Sequence, residues 1–177
     1  SSTATGDAGN LEIAANTIEF AAGACIKSTT YGQGVGSTIK LNATNTIHFD
    51  GESRDGYLTQ ILIGSYFTAI GDAGNLEIVA DNIEFTNGAY IYSVTLGAGR
   101  GSNVKLIAGE KVQFNGESRD GNISSIVLTT LSTATGDAGD LEIIANNIEF
   151  TGGAGILSAT FGAGDGGSIK LNTKETI

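Results

Sequence analysis

The octapeptide GDAGNLEI at residues 6–13 decides the fold, because it returns at residues 71–78. It returns again at residues 136–143, with Asp140 in place of the asparagine. The three copies begin 65 residues apart. Self-similarity at a fixed period of this length is typical of repeat architectures, in which each unit packs against its neighbours.

The whole chain follows this period. We treat residues 1–177 as one domain and divide it into repeats at 6–70, 71–135 and 136–177. The last repeat is incomplete, which suggests a segment of a longer array.

Each repeat contains two similar halves. The triplet LEI at residues 11–13 resembles IKL at 39–41, which lies 28 residues on, and the next LEI follows 37 residues later. We attribute most of the difference between the halves to an insertion at residues 52–60, repeated at 117–125. We therefore predict that each 65-residue repeat forms two turns of the chain, one short and one long.

Short alternating triplets fill each turn. The first turn has LEI at residues 11–13, IEF at 18–20 and ACI at 24–26. Alternation of apolar and polar residues predicts strands with one buried face. Strands this short gain stability when each pairs with its equivalent one turn later. We therefore predict an all-β fold, a three-faced parallel β-helix or β-solenoid.

Columns of equivalent residues extend this prediction. Five phenylalanines should stack inside the solenoid: Phe20, Phe49, Phe85, Phe114 and Phe150. An inward hydroxyl column should follow: Ser28, Ser65, Ser93, Thr130 and Ser158. On the outside, acidic and basic residues should alternate: Glu12, Lys40, Glu77, Lys105, Glu142 and Lys170. Alternation avoids like charges on adjacent strands, which destabilise sheets.

Composition excludes several classes of protein. The chain has 27 glycines, no proline and a net charge of −10. This acidic balance argues against nucleic-acid partners, which require basic patches. The absence of an apolar run of about 18 residues argues against membrane insertion.

The repeat motifs resemble a known family. GDAGNLEI, IEF and the segment AGILSATFGAGDGG at residues 154–167 are similar to the repeats of filamentous-haemagglutinin-like adhesins, large bacterial exoproteins exported by two-partner secretion. The resemblance covers essentially the whole chain. It implies a right-handed parallel β-helix, secretion, and a role in adhesion or surface structure.

The two inserted loops are the candidate recognition surface, because inserted loops on one side of a solenoid often bind partners. Their charged residues are the candidate site residues: Glu52, Arg54, Asp55, Glu117, Arg119 and Asp120. The alternative is a turn held by local Asp and Ser hydrogen bonds.

Other candidate sites are weaker. Cys25, the one cysteine, could form an intermolecular disulfide or be incidental variation in one repeat. His48, the one histidine, is predicted to be a solvated strand residue. The recurring Asp7, Asp72 and Asp137 could hold an occasional calcium ion with backbone carbonyls. We predict no catalytic, cofactor or metal site.

These observations predict a structural or adhesive repeat segment of a secreted bacterial surface adhesin or extracellular filament, and not an enzyme. The predicted partners are neighbouring repeats, end-to-end copies and cell-surface or glycan ligands. Two alternatives stay open: a polysaccharide-acting β-helix enzyme and a self-assembling extracellular fibre subunit.

Overall fold

The structure is a computed structural model that describes residues 4–177. Within these residues it is all-β, with no helix. Eleven strands follow one another along this part of the chain: β1 Leu11–Ala21, β2 Cys25–Thr30, β3 Ile39–Asp50, β4 Gln60–Ser65, β5 Asn75–Thr86, β6 Tyr90–Thr95, β7 Asn103–Asn115, β8 Ser125–Thr130, β9 Leu141–Thr151, β10 Gly155–Thr160 and β11 Ile169–Thr176.

The strands form two parallel sheets, which confirms the predicted all-β, parallel architecture. Sheet 1 has the order β1-β3-β5-β7-β9-β11, and sheet 2 has the order β10-β8-β6-β4-β2. The chain therefore alternates between the sheets, and every strand pairs with its equivalent two strands along the sequence. This arrangement is compatible with a β-solenoid.

The three predicted triplets are distributed over these two sheets. The first and second triplets belong to one long strand, such as β1, and the third belongs to the shorter strand that follows, such as β2. The long strands pair in register over both triplets, with an irregularity between them, as between Ala15 and Thr17. A bulge of this kind bends a strand.

The phenylalanine column is confirmed. Its rings stack along the interior with centroids 5.0, 4.6, 4.8 and 5.2 Å apart and planes within 8° of parallel. Phe49, Phe85 and Phe114 are fully buried, while Phe20 and Phe150 are partly buried at the two ends of the stack. Identical rings stacked in register favour this one register over a slipped one, because a slip would move the rings to the other face.

The outward charge column is confirmed in register. Each of the six residues faces its predicted neighbour across sheet 1. Glu142 forms ion pairs with Lys105 at 2.9 Å on one side and with Lys170 at 3.3 Å on the other. The hydrogen bonds from both lysines lower the pKa of the Glu142 carboxyl.

The predicted hydroxyl column is wrong in its alignment. Ser28 pairs with Ile63 rather than with Ser65, and Ser65 instead lies between Thr30 and Thr95. The observed hydroxyl column keeps Ser65 and Thr130 but lies two positions later along β2, β6 and β10: Thr30, Ser65, Thr95, Thr130 and Thr160. Four of these side chains are buried, and Ser65 and Thr130 are fully so.

The misalignment arose because the extra residues of the long half were assigned to one insertion. The structure distributes them over three places. The loop before β4 is longer than the connection before β2, β3 has an extra residue at its bulge, and the corner after β4 is longer than that after β2. The extra corner residues shift the register expected for sheet 2.

Candidate recognition surface

Two long loops project from the same edge of the fold. The first, residues 51–59, connects β3 to β4, and the second, residues 116–124, connects β7 to β8. Each closes on itself through an isolated antiparallel bridge, Glu52 to Leu58 and Glu117 to Ile123. We call them the long loops.

A serine organises each long loop. In the first, the Ser53 hydroxyl accepts a hydrogen bond from the Tyr57 N–H at 3.0 Å, and the Tyr57 carbonyl accepts one from the Ser53 N–H at 2.8 Å. Ser118 and Asn122 repeat this arrangement in the second loop at 3.1 and 2.8 Å. The expected local serine hydrogen bonds are therefore present in both loops.

Short connections of three residues alternate with the long loops. One of them, residues 87–89, lies between the two long loops. Because it is short, a gap separates the two long loops. The loops are two strand spacings apart, about 9.6 Å. Their bases are fastened to the short connections by buried hydroxyls: Thr59 accepts from the Gly23 N–H at 3.1 Å and Ser124 accepts from the Gly88 N–H at 3.0 Å.

Arg119 spans the gap. Its guanidinium forms an ion pair with Glu52 of the other long loop and donates to the carbonyls of Ser53 and Arg54 at 2.9 and 3.2 Å. The hydrogen bond from Arg119 holds the pKa of the Glu52 carboxyl below its usual value. The side chain of Glu52 is 8% exposed, whereas that of Arg119 is 62% exposed.

The other predicted loop residues stay apart. Arg54, Asp55, Glu117 and Asp120 are exposed. Within residues 4–177 none of these four forms an ion pair. Of the six candidate residues, the structure therefore joins Glu52 and Arg119 directly and leaves four charged side chains open to solvent.

Two depressions of different character lie between the long loops. A polar cleft of about 340 Å³ is lined by seven residues: Asp50, Gly51, Glu52, Asn87, Glu117, Ser118 and Arg119. A second depression of about 330 Å³ opens over the outer face of sheet 2. We call it the tyrosine pocket, and it is lined by Leu58, Tyr90, Tyr92, Asn122, Ile123, Ser125 and Val127.

The tyrosine pocket was missed by the sequence interpretation, which considered charged residues alone. Its signal was nevertheless present. All five tyrosines lie in sheet 2 or in the connections beside its strands: Tyr31, Tyr57, Tyr66, Tyr90 and Tyr92. The five strands of sheet 2 contain one charged residue, Lys27. Burial raises the pKa of both Tyr90 and Tyr92.

Cys25 and His48 lie on different sheets. Cys25 is a free, exposed thiol beside Gln60 on sheet 2. His48 lies on sheet 1, where its Nε2 is 2.9 Å from the Thr86 hydroxyl. The Cys25 thiol and the His48 imidazole are therefore not paired as a nucleophile with its base.

The recurring aspartates hold the backbone. Asp7, Asp72 and Asp137 each accept a hydrogen bond at 2.8 Å from a backbone N–H located 28 residues later in the chain. This repeated contact explains why an aspartate returns in each repeat. In the part of the chain that the structure describes, no cluster of three or more His, Cys, Asp or Glu residues is placed to hold a metal ion.

The chain matches no protein-family model, no curated protein and no solved structure. Among residues 4–177 there is also no helix with the length and apolarity needed to cross a bilayer.

Proposed function

We propose that the chain is a structural and adhesive segment of a secreted bacterial surface protein or extracellular filament. In this proposal the two sheets coil into a right-handed, three-faced β-helix with two turns per 65-residue repeat. The segment acts by its stiffness and by presenting the same loops at fixed intervals.

The observation that carries the proposal is that equivalent residues pair at every step across sheet 1. Leu11, Ile39, Leu76, Val104, Leu141 and Ile169 pair in succession from one edge of the sheet to the other. A stack with this constant register spaces its surface features regularly, because adjacent strands are about 4.8 Å apart. The two long loops therefore project as copies on one edge.

Adhesion is tested with coated beads. Beads carrying the full chain should stay on a layer of target cells under flow more often than beads carrying albumin. A matched variant replaces residues 51–59 and 116–124 by the short connection Asn87-Gly88-Ala89, which the fold already uses between the same sheets. Circular dichroism should show that this variant folds, and beads carrying it should no longer be retained on the cells. Retention no better than that of albumin contradicts an adhesive role.

Surface localisation is tested separately. An antibody raised against the chain should label intact source cells, or their growth medium, without permeabilisation. Labelling that requires permeabilised cells contradicts secretion.

The enzymatic alternative has its own test. Incubation with acidic polysaccharides should release no new reducing ends. Turnover that disappears when one acidic residue is replaced would favour the polysaccharide-acting enzyme.

A further inference from the structure

We propose that the tyrosine pocket binds a neutral oligosaccharide. This inference rests on the proposed adhesive function and gives it a ligand class. It starts from the asymmetry of the two sheets. Sheet 1 presents a column of alternating charges, whereas sheet 2 presents tyrosines and aliphatic residues with Lys27 as its one charged strand residue. A patch of apolar and aromatic side chains on a surface marks an interaction site.

The pocket has the composition of a small-ligand site. Tyr92 and Val127 form part of its floor, and Leu58 and Ile123 come from the two long loops on either side. Ile123 is 41% exposed. The tyrosine pocket has a volume of about 330 Å³, which lies within the range of small-molecule sites. Such sites are mostly apolar with a few polar groups. Tyrosine offers a rigid, amphipathic contact surface at low entropic cost.

The size of the surface disfavours a second protein as the occupant. The five strands of sheet 2 span about 19 Å by about 20 Å, or about 400 Å². A stable protein interface buries about 800 Å² on each partner. The long loops, about 9.6 Å apart, also restrict access to a slender ligand.

The polar groups distinguish a sugar from an extended peptide. A peptide needs partners for its backbone N–H and C=O groups. Strand β6, which forms the floor, already pairs along both sides with β4 and β8. The pocket instead offers side-chain hydroxyl and amide groups from Tyr92, Ser125 and Asn122. The apolar C–H face of a sugar packs on a tyrosine ring, while its hydroxyls bond to groups of this kind.

Charge selects a neutral sugar. No charged residue lines the tyrosine pocket. The neighbouring polar cleft contains Asp50, Glu52 and Glu117 with Arg119 as its one cation, and the whole chain has a net charge of −10. These acids disfavour an anionic glycan beside them.

The test measures binding of β-1,4-linked tetrasaccharides of glucose, mannose and galactose to the full chain, with tetragalacturonate as the anionic comparison. Calorimetry and tyrosine fluorescence are both suitable, because the chain contains no tryptophan. At least one neutral tetrasaccharide should bind saturably at one site, and tetragalacturonate should bind more weakly. Tyr92→Ala should weaken binding about tenfold, the loss expected for one aromatic contact.

Two further variants make the result specific. Ile123→Ser changes an exposed loop residue of the pocket and should weaken binding even if Tyr92→Ala unfolds the chain. Tyr57→Ala is the matched control, because Tyr57 is 71% exposed and lies outside the pocket. It should leave affinity unchanged.

Several outcomes overturn the inference. They are no binding of any neutral tetrasaccharide, binding that survives both pocket variants, and a pocket that instead mediates dimers or vesicle binding abolished by Tyr92→Ala. Bead adhesion without tetrasaccharide binding refutes this inference alone. Tetrasaccharide binding without bead adhesion refutes the adhesive function.

Discussion

Replacing Phe85 by alanine should lower the free energy of unfolding by about 3–5 kcal/mol, the usual cost of truncating a buried phenylalanine. Phe85 is 0% exposed at the centre of the ring stack. It contacts Phe49 at 4.6 Å and Phe114 at 4.8 Å between centroids. Its loss removes two stacking contacts, each worth about 0.5–1.5 kcal/mol, and leaves a cavity.

Two matched variants separate these contributions. Phe85→Leu keeps most of the apolar volume and loses both ring contacts, so it should cost about 1–3 kcal/mol. Phe20→Ala removes a partly buried ring with one neighbour in the stack, at 5.0 Å. It should cost about 1–2 kcal/mol, because less apolar surface and one ring contact are lost.

Equilibrium unfolding in urea, followed by circular dichroism, measures all three variants. The loss in free energy of unfolding should be largest for Phe85→Ala and smaller for Phe85→Leu. Phe20→Ala should also lose less than Phe85→Ala. Equal losses for Phe20→Ala and Phe85→Ala would refute this expectation, because the central ring would then contribute no more than a peripheral one.

Three further predictions concern single polar or backbone features. Asp72→Ala should cost about 0.5–1.5 kcal/mol in urea unfolding, because the backbone N–H of Arg100 loses its acceptor at 2.8 Å, and no loss would contradict a structural role for this aspartate. Ala22→Gly should stabilise the chain by about 0.5–1 kcal/mol, since Ala22 has a φ of 53°, and an unchanged or lower urea midpoint would contradict strain there. Hydrogen bonds from the N–H and hydroxyl of Ser168 hold the pKa of Asp140 below its ordinary 3.8 in the folded chain. That contribution is therefore present above pH 3.8 and lost as pH falls through the lower folded pKa, so Asp140→Asn should make the urea midpoint less sensitive to acid over this range.

The sequence was sufficient for sheet 1 because its residues alternate regularly. A slip of one residue would move Phe49 or Glu77 to the wrong face, so the pattern leaves one acceptable register. Sheet 2 was harder to align. Ser28, Ile63 and Ser93 pair in the structure, yet their types suggested that Ser28 should align with Ser65. An extra residue in a bulge or corner has no local signature in a glycine-rich chain, so its position could not be deduced from residue types.

The candidate site was predicted in part. The insertions predicted at residues 52–60 and 117–125 located both long loops, and Ser53 and Ser118 organise them as the alternative interpretation expected. The contact between Arg119 and Glu52 joins residues 67 positions apart in different repeats, so their separation in the sequence gives no sign of it. Tyr90 and Tyr92 were missed because a pocket wall also requires the loop residues Leu58 and Ile123, which adjoin them only in three dimensions.

The short separation in sequence between paired strands has a consequence for folding kinetics. Every strand of sheet 1 finds its partner 28 or 37 residues away, as Leu11 does at Ile39 and Ile39 does at Leu76. The entropy lost in closing each loop depends on this separation and not on the total number of repeats. A longer array of the same design would therefore add strands at an undiminished rate. A formed layer offers the next segment a template for pairing, so folding can proceed from one layer to the next along the chain.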